Sequence, residues 1–399
     1  MNKKKSEIIG PLRAGCLSKR QISALKTVIA SKAVAPHLLS DLEGCGPVLE
    51  FEKAISGISG ARFALALSSG TAAIHAALLA SDVGPGDEVI VTPYSWPQSV
   101  WPVIFTGATP VFADIDEASF NINVTSVAER ISPKTKAIIV VHMFGHMADM
   151  RSLQDIAHKS GITLIADAAH AIAAKLDGQK SGTWGDMVCY SFGRGKLICG
   201  GEGGALVTNR LDLYERAIQL TQHEERIKRL QPTTRRSASF SLNYRMHSLA
   251  AVLGLADLRS MTTKIRHRRS VMTQFIKGLS KNDLLKTQIG IDGEEPEPYG
   301  IPLTQGDCSD REGIVYQAQQ RGVPLRCGPV QVPLHLRIAD QIGPKVSSHF
   351  THQVGSCPVA EERCRDRELL VLSALDMDGI SAKDAYYLGE LLKEILCDV

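Results

Sequence analysis

The sequence lacks the features that mark a membrane-bound, secreted or nucleic-acid-binding protein. Its 399 residues contain no apolar run that approaches the ~20 residues of a membrane-spanning helix. The first residues are charged, and the apolar segment of a secretory signal does not follow them. The 45 basic and 42 acidic side chains nearly cancel, which leaves a formal net charge of +3. Overall charge therefore gives no reason to expect a nucleic acid or a membrane as partner.

Cysteine is present, but not in a pattern that forms a disulfide framework or a zinc site. The nine cysteines are odd in number and scattered in spacing, and the motif C-x-x-C does not occur. Reduced thiols are typical of the cytosol. The sequence therefore predicts a soluble, cytoplasmic protein without a bound metal. The cysteines are Cys16, Cys45, Cys189, Cys199, Cys308, Cys327, Cys357, Cys364 and Cys397.

Two short basic runs occur, within residues 226–236 and 264–269. A solvent-facing helix or loop accounts for each of them. The alternative is that they form a wall of a site for an anionic donor or substrate. Neither run is interleaved with aromatic residues, which argues against binding of nucleic acid.

Between residues 61 and 209, short apolar runs alternate with helical patterns. Near-continuous Val, Ile and Leu runs separated by helices indicate a mostly parallel sheet with both faces covered, as in an α/β domain. The predicted helices include 71–80 and 150–159. The predicted strands are 63–67, 88–93, 110–115, 137–142, 162–167, 187–192 and 204–209.

The C-terminal part of the chain predicts a second, smaller domain. A long helical pattern covers about 248–279, the Gly-, Pro- and Glu-rich stretch 282–302 has the composition of a loop, and further helices are predicted over 313–322 and 382–396. We therefore divide the chain into three parts. Residues 1–45 form an N-terminal segment that packs on the small domain, 46–250 the large α/β domain, and 251–399 a long connecting helix with a small α+β domain.

Residues 68–71 read Ser-Ser-Gly-Thr and lie between a predicted strand and a predicted helix. The first N–H groups of a helix have no partner within it, and the positive end of the helix dipole attracts an anion. Gly70 lets the backbone come close to such a ligand, while Ser69 and Thr71 add hydroxyl donors. A plain helix cap would look the same, because Ser and Thr are favoured there.

Asp167 ends the predicted strand ITLIAD, at the edge of the sheet where ligands bind in open α/β folds. A carboxylate at this place can keep a heteroaromatic nitrogen protonated, although many such Asp residues only cap the next helix. Lys196 follows in a glycine-rich turn between two predicted strands. Leu197 stands where a P-loop requires Ser or Thr, so the turn is not a nucleotide-binding P-loop.

Together these motifs supply an anion site, a partner for a ring nitrogen and an amine that can form an imine. Pyridoxal phosphate needs these three things from a protein. Their order resembles that of the DegT-type (DegT/StrS) pyridoxal-phosphate-dependent sugar and cyclitol aminotransferases, from about residue 46 to the C-terminus. The segments that carry the resemblance are FALALSSGTAAIHAAL, GPGDEVIVTPYSW, IADAAHAIAA, GDMVCYSFGRGKLICGGEGGALVTN and SLNYRMHSLAAVLGLADL.

The resemblance implies a fold-type I structure, in which helices flank a central, mostly parallel seven-stranded sheet and a smaller α+β domain follows. It also implies a role for each matching residue. Lys196 would form the Schiff base with the cofactor and move a proton, Asp167 would keep the ring nitrogen protonated, and His170 would lie near the phenolic oxygen. Trp96 would stack on the ring. The residues implied for the phosphate are Ser69, Gly70, Thr71, Ser191 and, from the other subunit of a homodimer, Asn243.

For the substrates, the resemblance implies glutamate or glutamine as donor and a keto-sugar or keto-cyclitol as acceptor, in amino-sugar, antibiotic or cell-surface glycan biosynthesis. Many members have Ser-Phe-Phe-Pro-x-Lys-Asn where this chain has Ser-Phe-Gly-Arg-Gly-Lys-Leu, and Cys199 stands in place of the usual Ser or Thr. Gly193 and Gly195 would leave room for a ring. The residues expected to contact substrate are Arg194, Tyr244, Arg245 and His335.

Two other functions remain open. One is a cofactor-dependent dehydration or deoxygenation of a sugar; the dehydratase-like branch of the family replaces the lysine, whereas this chain keeps Lys196. The other is a regulatory protein of the same fold without turnover. Such a protein would gain nothing evident from a complete set of Asp167, His170, Ser191 and Lys196. The sequence therefore favours transamination.

Overall fold

The computed structural model describes residues 17–31, 38, 41–230, 240–279, 285–306, 310–342 and 353–397. Two cysteines, Cys16 and Cys308, lie outside these ranges, as do Arg235 and Arg236 of the first basic run. Most of the N-terminal segment also lies outside them.

Within the described ranges, seven strands form the sheet at the centre of the large domain, in the order β1-β9-β8-β5-β4-β2-β3. β9 is antiparallel to both of its neighbours, and the other neighbouring strands are parallel. The predicted mostly parallel seven-stranded sheet is confirmed, and the predicted strand ends agree to within three residues. The strands of this region, including a small hairpin of β6 and β7, are β1 (Phe63–Leu67), β2 (Glu88–Val91), β3 (Thr109–Phe112), β4 (Thr135–Val141), β5 (Thr163–Asp167), β6 (Lys175–Leu176), β7 (Gln179–Lys180), β8 (Met187–Ser191) and β9 (Gly204–Thr208).

Helices cover the sheet, so that strands such as β8 and β9 are buried along nearly their whole length. One helix, α3, is apolar almost all round because it lies between the sheet and α7. The helices of this part are α1 (Lys19–Ala30), α2 (Gly46–Ser59), α3 (Gly70–Ala80), α4 (Trp101–Phe105), α5 (Val124–Arg130), α6 (Met150–Ser160), α7 (Leu211–Thr221), α8 (Glu224–Leu230) and α9 (Ser248–Leu258).

The long helical pattern predicted over 248–279 is two helices, α9 and α10 (Met261–Leu279), so the prediction of one helix is wrong. The chain turns at Ser260, whose hydroxyl donates to the backbone carbonyl of Asp257 at 2.6 Å. The ammonium of Lys264 donates to the Asp257 carboxylate at 2.7 Å. Local side-chain contacts of this kind compete with helix hydrogen bonds, and apolar periodicity does not reveal them.

The small domain contains, among the residues described, a four-stranded antiparallel sheet in the order β10-β12-β14-β13. The stretch 282–302 was predicted to be a loop. Where the structure describes it, it contains short strands, and Ile301 is buried in the sheet. α10 packs on α15 beside this sheet. The strands of this sheet are β10 (Leu285–Thr287), β12 (Gly300–Gln305), β13 (Arg326–Cys327) and β14 (Glu368–Ser373). The short strand β11 (Glu294–Glu295) pairs instead with β6 of the large domain. The helices are α11 (Arg311–Gln320), α12 (Leu334–Ile342), α13 (Pro358–Glu362), α14 (Ala374–Gly379) and α15 (Ala382–Cys397).

The described part of the N-terminal segment, α1, packs on α9. The side-chain amide of Gln21 also donates to the backbone carbonyl of Cys199 at 3.0 Å, in the turn that follows Lys196. Because α9 crosses the predicted boundary at residue 250, the packing of the segment on the small domain stays a prediction.

Both basic runs contain a buried arginine, which neither reading of those runs predicted. Arg226 is 1% exposed and pairs with the carboxylate of Glu52 at 2.8 Å. Arg268 is fully buried and binds the carboxylate of Asp378 through two contacts of 2.7 Å. These two arginines therefore belong to internal ion pairs.

In the ranges that the structure covers, none of the helices combines the length and the apolar character that crossing a bilayer requires. The cysteines recorded as free thiols are Cys45, Cys189, Cys199, Cys327, Cys357 and Cys364.

Candidate active site

The predicted catalytic residues meet at the carboxyl edge of the central sheet. Asp167 is the last residue of β5, and the chain that leaves the neighbouring strand β8 after Ser191 turns back to bring in Lys196. The two strands are parallel, with Asp167 opposite Cys189. The turn that carries Lys196 requires a positive φ of 86° at Gly195, a conformation that favours glycine. The topology of the sheet therefore brings Asp167 and Lys196 together although they are far apart in the sequence.

The Asp167 side chain is buried, with 6% of its surface exposed, and two groups donate hydrogen bonds to it. The Ser99 hydroxyl donates to one carboxylate oxygen at 2.7 Å, and the N–H of Ala169 donates to the other at 3.1 Å. Burial raises the pKa of the Asp167 carboxyl, while these hydrogen bonds and the charge of Lys196 lower it. The site thus holds this carboxylate in a fixed orientation, where it can bind a protonated ring nitrogen.

Lys196 has a partner that the motif analysis missed. Its ammonium donates to the hydroxyl of Tyr299 at 3.2 Å and lies 4.9 Å from the centre of that ring. Tyr299 comes from the small domain, immediately before β12, in the stretch that composition marked as loop. No signal in the sequence separates this tyrosine from an ordinary loop residue.

His170 is enclosed by two aromatic rings. It stacks on Tyr299 with 3.7 Å between ring centres and an interplanar angle of 15°, and Trp96 meets its edge at 5.1 Å and 88°. Burial, together with the charge of Lys196, holds the pKa of His170 well below its usual range, so its ring is neutral. Its Nδ1 has no hydrogen-bond partner among the described residues. A buried nitrogen of this kind is free to bind a ligand.

A cradle for an anion lies where β1 leads into α3. Ser69 caps the helix by accepting a hydrogen bond from the N–H of Ala72 at 3.1 Å, which leaves other N–H groups of the first turn for a ligand. A Cβ on Gly70 would lie 2.9 Å from the Cβ of Ser191, so only glycine lets β8 end this close to the helix. Thr71 follows in the same turn. The four residues that one subunit was predicted to contribute to the phosphate site are thus neighbours in space.

Residues 243–245 pair with the end of β1. The carbonyl of Tyr244 accepts a hydrogen bond from the N–H of Ser68 at 2.8 Å, Arg245 forms a β-bridge with Leu67, and the Tyr244 hydroxyl contacts His75 at 2.8 Å. Asn243 itself is exposed. The predicted reach of its side chain into a neighbouring subunit stays a prediction.

The other two predicted substrate contacts differ in their surroundings. Arg194 is exposed, two residues before Lys196. His335 is 2% exposed; its Nε2 lies 3.0 Å from a carboxylate oxygen of Glu361, and its ring packs against Phe112 on the edge strand β3. The structure therefore gives His335 a half-buried carboxylate partner beside the edge strand, and its contact with substrate stays a prediction.

The grouped residues fit pyridoxal phosphate. The buried Asp167 carboxylate suits the ring nitrogen, the first turn of α3 with Ser191 suits the phosphate, and the Lys196 amine suits the aldehyde. The Nδ1 of His170 has no partner among the described residues and can receive the phenolic oxygen, and Trp96, 37% exposed, is accessible to a ring.

Comparisons with known proteins agree with this fit. A family model described as the DegT/DnrJ/EryC1/StrS aminotransferase family matches residues 40–373. A GDP-perosamine synthase of Caulobacter vibrioides is 34% identical over 72% of this chain and 77% of its own length. A dTDP-3-amino-3,4,6-trideoxy-alpha-D-glucose transaminase of Streptomyces venezuelae is 30% identical over 86% of this chain and 90% of its own. The X-ray structure of an aminotransferase from Psychrobacter cryohalolentis shares the fold, with a TM-score of 0.84 at 24% identity over 97% of this chain and 98% of that one.

Proposed function

The chain belongs to the DegT/DnrJ/EryC1/StrS aminotransferase family and is a pyridoxal-phosphate-dependent aminotransferase, and from this premise we propose that it moves an amino group from glutamate or glutamine onto a keto-sugar or keto-cyclitol. The observation that carries the proposal is the grouping of Asp167, His170 and Lys196 beside the Gly70 cradle at one edge of the sheet. Two relatives support the acceptor class, since one is named for a GDP-linked and the other for a dTDP-linked compound.

When bound, pyridoxal phosphate supplies a carbonyl that takes up the amino group of a donor and passes it to a keto acceptor, with the protonated ring as an electron sink. Asp167 holds the ring nitrogen in its protonated form. The first turn of α3 and Ser191 bind the phosphate and orient the ring. The Nζ of Lys196 is the group that can both bond the cofactor and hold the proton that has to move.

For the acceptor we propose a neutral ring with several hydroxyl groups rather than a simple keto acid. A Cβ on Gly193 would meet its nearest neighbour, the Glu202 carboxylate, only at 3.8 Å, which supports room for a ring there, whereas a Cβ on Gly195 would meet Leu375 at 3.4 Å. A cation is needed for the carboxylate of the donor, and Arg194 or Arg245 can supply it. A site that binds ring hydroxyls discriminates strongly, because a missing hydroxyl leaves buried partners unpaired.

Transamination is favoured over elimination from a sugar because Lys196 is present and has room to act. The two reactions differ in the sugar product: transamination leaves an amino group on the ring in place of the keto oxygen, whereas elimination removes a hydroxyl group and leaves no amino group. The free thiols of the described cysteines support the cytoplasm as the proposed location.

Two half-reactions measured separately test the function. The protein loaded with pyridoxal phosphate is mixed with glutamate, and loss of the visible absorption of the cofactor is followed. The amino form is then offered a nucleotide-linked keto-sugar, a keto-cyclitol and several simple keto acids. We expect glutamate to bleach the band and a ring compound to restore it fastest. Restoration by the simple keto acids alone, with every ring compound inert, would contradict the proposed acceptor class.

A further inference from the structure

Tyr299 contacts two residues of the active site although it belongs to none of the motifs. Its hydroxyl oxygen lies 3.2 Å from the Nζ of Lys196, and its ring stacks on His170 at 3.7 Å. It is half-buried, at the point where the chain enters the small-domain strand β12. A single small-domain side chain therefore touches both the reactive amine and the neutral imidazole.

The backbone before Tyr299 is fixed on the large domain by contacts that leave little freedom. The N–H of Glu297 donates to the carbonyl of Gly145 at 3.0 Å, and the Glu297 carboxylate accepts from the N–H of Ala173 at 2.8 Å. Gly145 has a φ of 88°, and a Cβ there would lie 2.0 Å from the Glu297 carbonyl oxygen. The loops that follow β4 and β5 thus set the position from which Tyr299 reaches Lys196.

The other charged or titratable groups that act on this amine come from both domains. Asp167 accepts hydrogen bonds from Ser99 and Ala169, and the Nδ1 of His170 has no partner among the described residues, so neither residue is hydrogen-bonded to Lys196. The pKa of Glu297 is raised to about 7 because burial outweighs the lowering effects of its backbone contact and of the charges of Arg268 and Lys196. The Tyr299 oxygen is the acceptor that lies within hydrogen-bond distance of the Lys196 ammonium.

We propose that Tyr299 is a positioning residue for transamination, whose hydroxyl holds the Lys196 amine whenever that amine is not bonded to the cofactor. A lysine side chain has four rotatable bonds and loses considerable entropy when it is ordered. A fixed acceptor keeps the released amine beside the reacting atoms, where it can move protons. This inference rests on the aminotransferase activity and is independent of which acceptor the enzyme uses.

The test is Tyr299→Phe, which removes the hydroxyl and keeps the ring on His170. The matched control is Tyr316→Phe, at an exposed position of α11. Each variant is loaded with pyridoxamine phosphate, which leaves Lys196 unbonded, and is treated with trace acetic anhydride. Acetylation of Lys196 is then measured by peptide mapping between pH 6 and pH 9. The second measurement is kcat and KM for the glutamate half-reaction.

In Tyr299→Phe we expect acetylation of Lys196 to be severalfold faster, because the amine has lost the hydroxyl that holds it and is freer to meet the reagent. We expect kcat to fall about tenfold, the effect of one lost hydrogen bond, with little change in KM. Tyr299→His, which restores a polar ring atom, should recover part of both effects. Wild-type acetylation at every pH with wild-type kcat would overturn the proposal. The acetylation needs no substrate, so its outcome is separate from that of the acceptor panel.

Discussion

The Asp167 carboxylate is held by two donors that fix its position and favour its charged form. Ser99 reaches it from the turn after β2, and Ala169 from the turn after β5. In a buried site the neutral acid would otherwise be favoured, since burial raises the pKa of this group. The residue pattern predicted Asp167 from its place at a strand end. Ser99 could not be predicted, because its contact depends on a loop 68 residues away in sequence.

Replacing Asp167 by Asn should slow both half-reactions roughly ten- to hundredfold while the cofactor remains bound. An amide cannot hold a ring nitrogen protonated, and a charge-assisted hydrogen bond contributes about 1.5–3 kcal/mol. Stopped-flow absorbance of each half-reaction measures the effect. The control is Asp177→Asn on the surface, where the carboxylate only pairs with Arg151. Wild-type rates in Asp167→Asn would assign this carboxylate another role.

Ser99→Ala should move the acidic limb of the rate profile to higher pH. The Ser99 hydroxyl lowers the pKa of Asp167, so its removal lets the carboxylate take up a proton at a higher pH and lose its hold on the ring nitrogen. At alkaline pH the variant should approach the wild-type rate. The matched control is Ser152→Ala, which removes a similar hydroxyl–carboxylate contact at Asp149. An unchanged profile, or a shift to lower pH, would argue against this role of Ser99.

At the scale of elements, apolar runs predicted the central strands well because both faces of those strands are buried. The small domain was predicted less well. Its strands β10 and β11 are short and lie in a stretch with the composition of a loop, and the turn at Ser260 interrupts a continuous helical pattern. Tyr299 was missed for the same reason, since contacts distant in sequence give that stretch a fixed path: the pairing of β12 with β14 and the hydrogen bonds of Glu297.

Gly70→Ala should weaken cofactor binding more than it weakens the fold. The added methyl would lie 2.9 Å from the Cβ of Ser191 and so would force the start of α3 away from the end of β8. We expect the Kd for pyridoxal phosphate, from fluorescence titration, to rise at least tenfold. The control is Gly57→Ala in α2, where a Cβ meets nothing within 4 Å and should stabilise the helix slightly. Equal affinity in both variants would show that Gly70 has no part in a phosphate cradle.

At the scale of the whole molecule, the two domains meet at the active site through aromatic side chains. Tyr299 reaches Lys196 from the small domain, and the hydroxyl of Tyr94, two residues before Trp96, donates to Glu368 at the start of β14. The sequence predicted two domains but not these contacts, because no local pattern indicates contacts between residues that are 103 and 274 positions apart. The exposed Asn243 raises the further question of a second subunit.

We predict a homodimer in which Asn243 of each subunit completes the phosphate site of the other. Mixing inactive Lys196→Ala with inactive Asn243→Ala should then restore up to about a quarter of the wild-type activity after subunit exchange, because each hybrid dimer has one intact site. The control mixture contains Lys196→Ala and a variant that carries both Lys196→Ala and Asn243→Ala, so that no hybrid dimer has an intact site. If the first mixture also stays inactive although mass spectrometry detects hybrids, Asn243 acts within its own subunit.

The central claim is that Lys196 bonds the cofactor of this aminotransferase. The direct measurement is reduction of the loaded protein with borohydride, followed by digestion and mass spectrometry of the labelled peptide. We predict a cofactor adduct on Lys196, and no stable adduct in a Lys196→Ala variant that keeps the wild-type circular dichroism spectrum. An adduct on another lysine of the wild-type protein, with Lys196 unmodified, would contradict it.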